Sequence, residues 1–301
     1  MHLPPEKMHR VIINTDAKNE ADDQYAIVQA LLTPSFDLHG IIPAHFGDVK
    51  SKTSLKDSAD EVHKLLGLMD LAGKVRVAEG AARAIADDNT PIDSEGARMI
   101  IREALKDDPR PLHVAFLGPL TDMASAILLE PRIVHRNVRV VWIGGGHWPV
   151  GGREYNLLND ITGANVVFRS GIEIWQIPMT VYRMMAVSYA ELYERVYDKG
   201  AVGKYLVDQL VDWNTRMVAG PIEHRSLGDS PAIGVIMYPE CGRWEYRPGP
   251  QWNNVMNYVH TGQNRPVRVY ETIDQRFIQE DFFAKLARFA RGTKEFARFD
   301  G

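Results

Sequence analysis

The feature that most constrains the fold is a regular alternation of short apolar runs with segments of helical periodicity. Val11 to Ile13 is a β-branched run, and apolar residues recur at helical spacing from Tyr25 to Leu31. The alternation continues with strands predicted at 38–42, 75–77, 113–117, 138–143 and 172–177, and helices at 53–69, 97–105, 120–129 and 162–168. Repeated βα units with short connections predict an α/β fold with a mostly parallel central sheet and helices on both faces.

The pattern changes after residue 177. Residues 189 to about 218 have helical character with no strand between the two halves, which predicts a helical insertion after about residue 187. A Pro, Gly and Trp-rich segment follows at 239–252, then a predicted strand at 266–270 and a closing helix near 278–290. Because no low-complexity linker or repeat divides the 301 residues, we predict one domain spanning 1–301.

Charge and cysteine content limit the partners and the compartment. The formal net charge is −4, so no basic excess is present for nucleic-acid binding, and we expect a small-molecule ligand. Cys241 is the single cysteine, which excludes an intramolecular disulfide and a thiolate metal cluster. The amino terminus is charged and proline-containing, and no apolar stretch approaches the roughly 20 residues that cross a bilayer. We therefore expect a cytoplasmic protein with no membrane partner.

Three carboxylates lie close together at the first strand-to-helix turn. Asp16 follows the first strand, and Asp22 and Asp23 begin the next helix. Ligands of open α/β sheets bind at this carboxyl edge, and neighbouring carboxylates repel one another unless a cation lies between them. Hard cations such as Ca²⁺ take oxygen ligands, but an aspartate at a helix start also acts as a cap. This segment alone leaves metal binding and helix capping open.

Further motifs follow in a fixed order along the chain. In sequence they are Asn14-Thr15-Asp16, Asp22-Asp23, Ala26-Ile27, Phe116-Leu117-Gly118-Pro119-Leu120-Thr121-Asp122, Glu130-Pro131-Arg132-Ile133-Val134, Gly144-Gly145-Gly146, Glu154-Tyr155-Asn156 with Asp160, and Gly228-Asp229-Ser230-Pro231. The series, from residue 11 to about 235, resembles the inosine-uridine preferring nucleoside hydrolase family in order and approximate spacing. The ordered series is more specific than any single motif.

The resemblance implies a calcium-dependent N-glycosidase that cleaves the bond to the base in a ribonucleoside or related ribosyl compound. It implies that Ca²⁺ is held by Asp16, Asp23, Asp229 and the backbone carbonyl of Leu117. Asp16 would also be the general base that takes a proton from the metal-bound water. Family members are commonly dimers or tetramers, so we expect a homo-oligomer.

The resemblance also implies a sugar-binding set. Asp22, Glu154 and Asn156 would contact the hydroxyl groups of the ribose. For Glu154 and Asn156, a polar loop after a glycine-rich turn is the alternative interpretation. Asp48, after Phe46-Gly47, lies near the position of a ligand-holding asparagine in the family, and Trp148 could stack on a flat base.

The chain departs from the family pattern in the loop after Asp16. This loop, residues 17–21, is two residues longer than usual, so Asn19 and Glu20 either enter the pocket or face solvent. Asn14 stands where the family usually begins with an aspartate. The loop between Gly146 and Glu154 is shorter than usual, so an asparagine that contacts the 5′ end of the sugar has no clear counterpart.

A second departure affects the leaving group. Gly228 stands where family members often carry a histidine that protonates the departing base. A purine or pyrimidine is a poor anion, so losing this acid would slow turnover unless another group or a better leaving group compensates. Candidate replacements are His45, His147 and His224, the last beside Arg225.

Two other functions compete with the hydrolase. A metal- and ribose-binding protein with little or no hydrolase activity is the main alternative, and Gly228 favours it. A phosphotransferase is the weaker alternative, because Asn14 occupies the place where an Asp-x-Asp motif would begin and no Gly-x-x-x-x-Gly-Lys loop is present.

Overall fold

The computed structural model describes residues 3–217 and 220–299 and contains an eight-stranded central sheet. The strands in chain order are β1 His9–Thr15, β2 Phe36–Pro43, β3 Leu112–Phe116, β4 Val138–Ile143, β5 Glu173–Ile177, β6 Ala186–Ser188, β7 His224–Ser226, β8 Trp244–Trp252, β9 Tyr258–Tyr270 and β10 Arg298–Phe299. The central order is β10-β2-β1-β3-β4-β5-β9-β8, and only β8 runs antiparallel to its neighbour. The predicted, mostly parallel sheet is confirmed.

Helices cover the sheet on both faces. They are α1 Asp23–Leu31, α2 Ser54–Leu68, α3 Glu95–Leu105, α4 Thr121–Leu129, α5 Tyr155–Asn159, α6 Ile161–Arg169, α7 Met179–Tyr182, α8 Tyr189–Leu192, α9 Gly200–Arg216, α10 Ser230–Met237 and α11 Gln275–Ala290. Short 3₁₀ turns occupy Pro5–Lys7 and Pro131–His135, and Tyr193–Tyr197 is π-helical. None of the helices in these described ranges is long and apolar enough to cross a membrane.

Alternating side chains of the strands divide the apolar residues into two clusters. In β1, Val11 and Ile13 pack in one cluster while Ile12 packs in the other, as the two-residue period of a strand requires. Helices α1, α10 and α11 contribute to the first cluster, and α3, α4 and α6 contribute to the second. Both faces of the inner strands β1 to β5 are therefore buried, which explains why these strands are mostly apolar.

The helical insertion begins near the predicted position. Helix α8, the π-helical segment and α9 follow one another after β6, while Val218, the predicted end of the helical stretch, lies outside the described residues. Strands β6 and β7 flank the insertion and pair antiparallel in a separate two-stranded sheet. The insertion thereby connects the end of β5 to the segment that carries Asp229.

Three predicted boundaries were wrong. Residues 75–77 form no regular strand, because Val77 makes only an isolated parallel bridge to Ile41, although Ala78 and Gly80 still donate backbone hydrogen bonds to β2. The Pro-rich segment 239–252 contains β8, which tolerates Pro248 and Pro250 because it is an edge strand with one unpaired side. Strand β9 begins at Tyr258, well before the predicted start at 266, because its first half pairs with β8 alone.

Candidate active site

A cavity of about 500 Å³ opens at the carboxyl edge of the central sheet. Its lining includes Asp16 and Leu117, which directly follow β1 and β3, and Ile143 at the end of β4. Tyr182 and Arg183 at the end of α7, which follows β5, and the residues before α10 complete this part of the lining. The carboxyl ends of parallel strands meet at one edge, so residues far apart in sequence converge there. The cavity is therefore where an α/β sheet of this kind binds its ligand.

The predicted aspartate cluster forms within this cavity. Asp22, Asp23 and Asp229 each place a carboxylate oxygen within 4.8 Å of the others. The charge of Asp23 acts on Asp229, and Thr15 Oγ1 donates to Asp23 Oδ1 over 2.5 Å. Asp16 also lines the cavity, and its charge acts on Asp229, although it is outside the tight group of three.

Neither aspartate at a helix start caps its helix. Asp22 precedes α1 and Asp229 precedes α10, and neither side chain accepts a hydrogen bond from the first turn of its own helix. Asp22 Oδ2 instead accepts from the backbone N–H of Gly228, over 2.9 Å, on the distant segment. The capping interpretation is therefore not realised, and these carboxylates face the cavity.

The pKa values of the cluster reflect burial and mutual repulsion. Burial, followed by the charge of Asp22, raises the pKa of Asp23 to about 7. Burial raises the pKa of Asp22 to about 6, against the opposing charge of Arg225. The pKa values of Asp16 and Asp229 lie well above the ordinary range, first because of burial and then because of neighbouring carboxylates. An all-oxygen donor set with this much crowded negative charge fits a hard divalent cation.

The longer loop after Asp16 enters the cavity. Asn19 Nδ2 donates to Asp16 Oδ2 over 2.9 Å, and Lys50 Nζ donates to Asn19 Oδ1 over 2.6 Å. Glu20 lines the cavity and forms an ion pair with Arg225. Of the two arrangements that the sequence left open, the structure has both inserted residues in the pocket.

Asn156 holds two backbone carbonyls at the cavity. Its Nδ2 donates to the carbonyl oxygens of Leu117 and Ile143, each over 2.8 Å, and these residues follow β3 and end β4. The contact fixes the orientation of the Leu117 carbonyl, which retains a second lone pair for a ligand. Asn156 therefore acts on the predicted backbone ligand as well as lining the pocket.

Glu154 is buried and fully engaged by donors. Its carboxylate accepts from the backbone N–H groups of Gly145, Asn156 and Leu157 and from the hydroxyl group of Tyr182 over 3.1 Å. These bonds make it the cap of α5, while burial raises the pKa of the carboxyl group. Glu154 thus combines the capping role of the polar-loop interpretation with a place in the cavity.

Tyr182 was missed by sequence reasoning. Its ring carbon Cδ2 lies 3.1 Å from the position that a Cβ on Gly228 would take. The ring therefore occupies the space beside Gly228, while the hydroxyl group reaches Glu154. Tyr182 ends α7, the short helix that follows β5, and this position near the carboxyl edge of the sheet could have indicated a cavity residue.

Of the other predicted site residues, His45, Asp48, His147 and Trp148 lie outside the cavity lining, and His224 belongs to it. His45 is buried, with Nε2 2.9 Å from Thr121 Oγ1, and burial lowers its pKa to about 4. Asp48 is exposed and pairs with Lys52, while Trp148 packs on Tyr258 at a centroid distance of 4.5 Å. His147 is exposed, whereas His224, also exposed, lines the cavity.

Solved structures identify the fold. A plant nucleoside hydrolase superposes with a TM-score of 0.76 at 19% identity, covering 94% of this chain and 99% of that chain. The purine-preferring ribonucleoside hydrolase from Gardnerella vaginalis gives a TM-score of 0.75 at 19% identity, with the same coverage of 94% and 99%. The chain therefore has the α/β fold of nucleoside hydrolases.

Sequence comparison identifies the family. The probable uridine nucleosidase 2 of Arabidopsis thaliana is 26% identical over 262 residues, 76% of this chain and 78% of that protein. The inosine-uridine preferring nucleoside hydrolase of Leishmania major is 29% identical over 161 residues, 50% of this chain and 49% of that protein. Residues 11–280 match the family described as inosine-uridine preferring nucleoside hydrolase, and the chain belongs to that family. The predicted class, a hydrolase acting on N-glycosyl compounds, is confirmed.

Proposed function

We propose that this protein is a calcium-dependent N-glycosidase that hydrolyses the bond between ribose and base in a ribonucleoside. The observation that carries the proposal is the meeting of Asp229 with Asp22 and Asp23 in one cavity at the carboxyl edge of the sheet. Three carboxylates that converge from two segments of the chain need a positive partner, and oxygen donors favour calcium or magnesium over softer metals. Uridine is the first substrate to test, because similar proteins carry the name uridine nucleosidase.

In this proposal Asp16, Asp23, Asp229 and the Leu117 carbonyl hold the cation. When bound, the cation supplies positive charge that offsets the repulsion of the carboxylates and lowers the pKa of an attacking water. Asp16 accepts the proton of that water as general base, and the Asn19 amide, bonded to Oδ2, directs the other carboxylate oxygen to this task. The water adds to C1′ as the C1′–N bond breaks.

The sugar is bound beside the metal ligands. We propose that Asp22, Glu154 and Asn156 contact ribose hydroxyl groups, which is supported by their common place in the cavity lining. His224 is the proposed proton donor to the departing base, since it lines the same cavity. His45 is the second candidate, although burial holds its pKa near 4 and so disfavours the protonated form.

Asp48 and Trp148 remain proposed ligand contacts at a greater distance. Neither residue belongs to the cavity lining, so each would reach the substrate only if a loop moved on binding. Asp48 follows the loop that leaves β2, and Trp148 follows the triple glycine after β4. Asp48→Asn and Trp148→Phe should therefore change KM without abolishing turnover.

The direct test is a nucleoside panel with purified protein. Release of reducing sugar from uridine, cytidine, inosine and adenosine would be measured with calcium and with an excess of chelator. The expected result is calcium-dependent release that Asp16→Asn abolishes while the variant keeps its fold by circular dichroism. Release that persists in chelator and in Asp16→Asn would refute the metal mechanism.

A binding protein without turnover is the second candidate, and Gly228 favours it. Gly228 has no side chain, so the residue at that position cannot protonate a base. Such a protein would gain thermal stability from calcium and ribose together but release no sugar from any nucleoside in the panel. Turnover on one nucleoside excludes this candidate.

Three further expectations stay predictions. We propose one domain over 1–301, a homo-oligomer and a cytoplasmic location. One cooperative unfolding transition of the purified protein would support the single domain. Light scattering tests the homo-oligomer, through a mass that is a multiple of the mass of the chain. Fractionation of the source cells measures the third.

A further inference from the structure

The cavity lined by Gly228 also contains the positive charge of Arg225. Arg225 lies in β7, three residues before Gly228, and its guanidinium lines the cavity with only 13% of the side chain exposed. Its charge opposes the rise in the pKa of Asp22, whose carboxylate accepts from the Gly228 N–H. Arg225 therefore lines the same cavity as Asp22 and Gly228.

The guanidinium is held from two sides. Glu20, one of the residues in the longer loop, forms an ion pair with it, and Asn214 Oδ1 of α9 accepts from Nη1 over 3.3 Å. A guanidinium carries five N–H donors, so two contacts leave donors available to a ligand in the cavity. A charge fixed in advance stabilises a developing anion without reorganisation at the moment of reaction.

We propose, on the basis of the proposed hydrolase, that Arg225 binds the departing base and stabilises the negative charge that develops on it. As water adds to C1′ and its proton passes to Asp16, the C1′–N electron pair moves onto the base. Arginine stays protonated, so it supplies charge and hydrogen bonds, and the proton itself comes from His224 or from solvent. The products are ribose and the neutral base, and the substrates are nucleosides with an oxygen or nitrogen acceptor next to the glycosidic nitrogen.

The Arg225 proposal separates two kinds of leaving group. Uracil departs with charge shared between its ring nitrogen and the adjacent carbonyl oxygen, a pair of acceptors that a guanidinium can bind together. The 4-nitrophenolate ion is a much weaker base and departs from a riboside without such help. Loss of a residue that stabilises the leaving group must therefore lower kcat for uridine much more than kcat for 4-nitrophenyl β-ribofuranoside.

The experiment compares both substrates in calcium with Arg225→Gln, Arg225→Lys and the control Arg183→Gln. Arg183 lines the same cavity but is exposed, and no side-chain partner is seen for it within residues 3–217 and 220–299. Arg225→Gln should lower kcat for uridine roughly 10²–10³-fold, as removal of a charge-stabilising donor does, and lower kcat for the nitrophenyl riboside less than about tenfold. Arg225→Lys should recover part of the uridine loss, because it keeps the charge and loses the paired donors.

Equal losses on the two substrates, or no loss on uridine, would overturn the role of Arg225 while wild-type turnover leaves the hydrolase intact. Turnover of neither substrate by the wild-type protein would refute the hydrolase and this role with it. Misfolding is separated from both outcomes by the calcium-induced rise in melting temperature, which Arg225→Gln should retain because it keeps every proposed metal ligand.

Discussion

Removing the charge of Asp23 should change stability in opposite directions with and without calcium. Asp23 is 2% exposed, and burial with the neighbouring Asp22 raises its pKa from 3.8 to about 7. Asn at this position keeps the shape and can still accept from the Thr15 hydroxyl, but it cannot ionise. The substitution Asp23→Asn therefore isolates the cost of a buried charge.

The sign follows from proton linkage. Asp23 binds its proton more tightly in the folded chain than in the unfolded chain, so stability is greatest below the unfolded pKa and falls as pH rises toward the folded pKa. Each pH unit in this window costs about 1.4 kcal/mol. Without metal, wild-type stability should fall relative to Asp23→Asn by roughly 3 kcal/mol between about pH 5 and about pH 8. In calcium the wild-type protein should be more stable than Asp23→Asn, because the variant has lost a proposed ligand.

The assay is urea unfolding of both proteins at about pH 5 and about pH 8, in chelator and in calcium. Comparison with the variant cancels histidines such as His113, whose pKa burial lowers to about 3 and whose stability effect has the opposite sign. In chelator near pH 8, Asp23→Asn should be the more stable protein, and in calcium the less stable one. A variant less stable than wild type under both conditions at pH 8 would refute the reasoning.

Three further predictions address the cation, the backbone ligand and the proton donor. Calcium at about one hundred times its Kd should stabilise the protein by about 2.7 kcal/mol, measured as a calcium-dependent melting temperature that chelator reverses. Asn156→Ala should cost about 1–3 kcal/mol in urea unfolding, since the carbonyls of Leu117 and Ile143 lose their donor, and should reduce the calcium-induced shift. His224→Gln should slow uridine release by roughly 10²-fold, whereas His147→Gln, outside the cavity, should leave it unchanged.

The inner part of the sheet was predictable because strands β1 to β5 are buried on both faces. Strands β1 to β5 are short apolar runs between helical segments, and their periodicity gave the order of elements. The edge hairpin of β8 and β9 was less visible, because the edge position lets Pro248 and Pro250 into a strand. The pairing of β8 with β9 depends on where the two strands lie in the folded sheet, and this position cannot be read from the local residue types.

The aspartates of the cavity could be predicted from the sequence, whereas some of the residues around them could not. Asp16, Asp22, Asp23 and Asp229 could be proposed from sequence because each belongs to a motif with its own spacing. Tyr182 belongs to no such motif, and its place depends on packing against Gly228 from another segment. A contact of this kind follows from the fold and not from the local sequence.

The two departures from the family pattern meet in space. The longer loop after Asp16 brings Glu20 to Arg225, while the ring of Tyr182 takes the room beside Gly228. A Cβ at position 228 would lie 3.1 Å from both Tyr182 Cδ2 and Asp22 Oδ2, so a larger residue there would require one of these neighbours to shift. The inserted Asn19 meanwhile bonds Asp16, so one loop contacts both the proposed base and the charge proposed to meet the leaving group. The proposed metal ligands therefore belong to the family motifs, whereas Asn19, Glu20, Tyr182 and Arg225, which line the same cavity, do not.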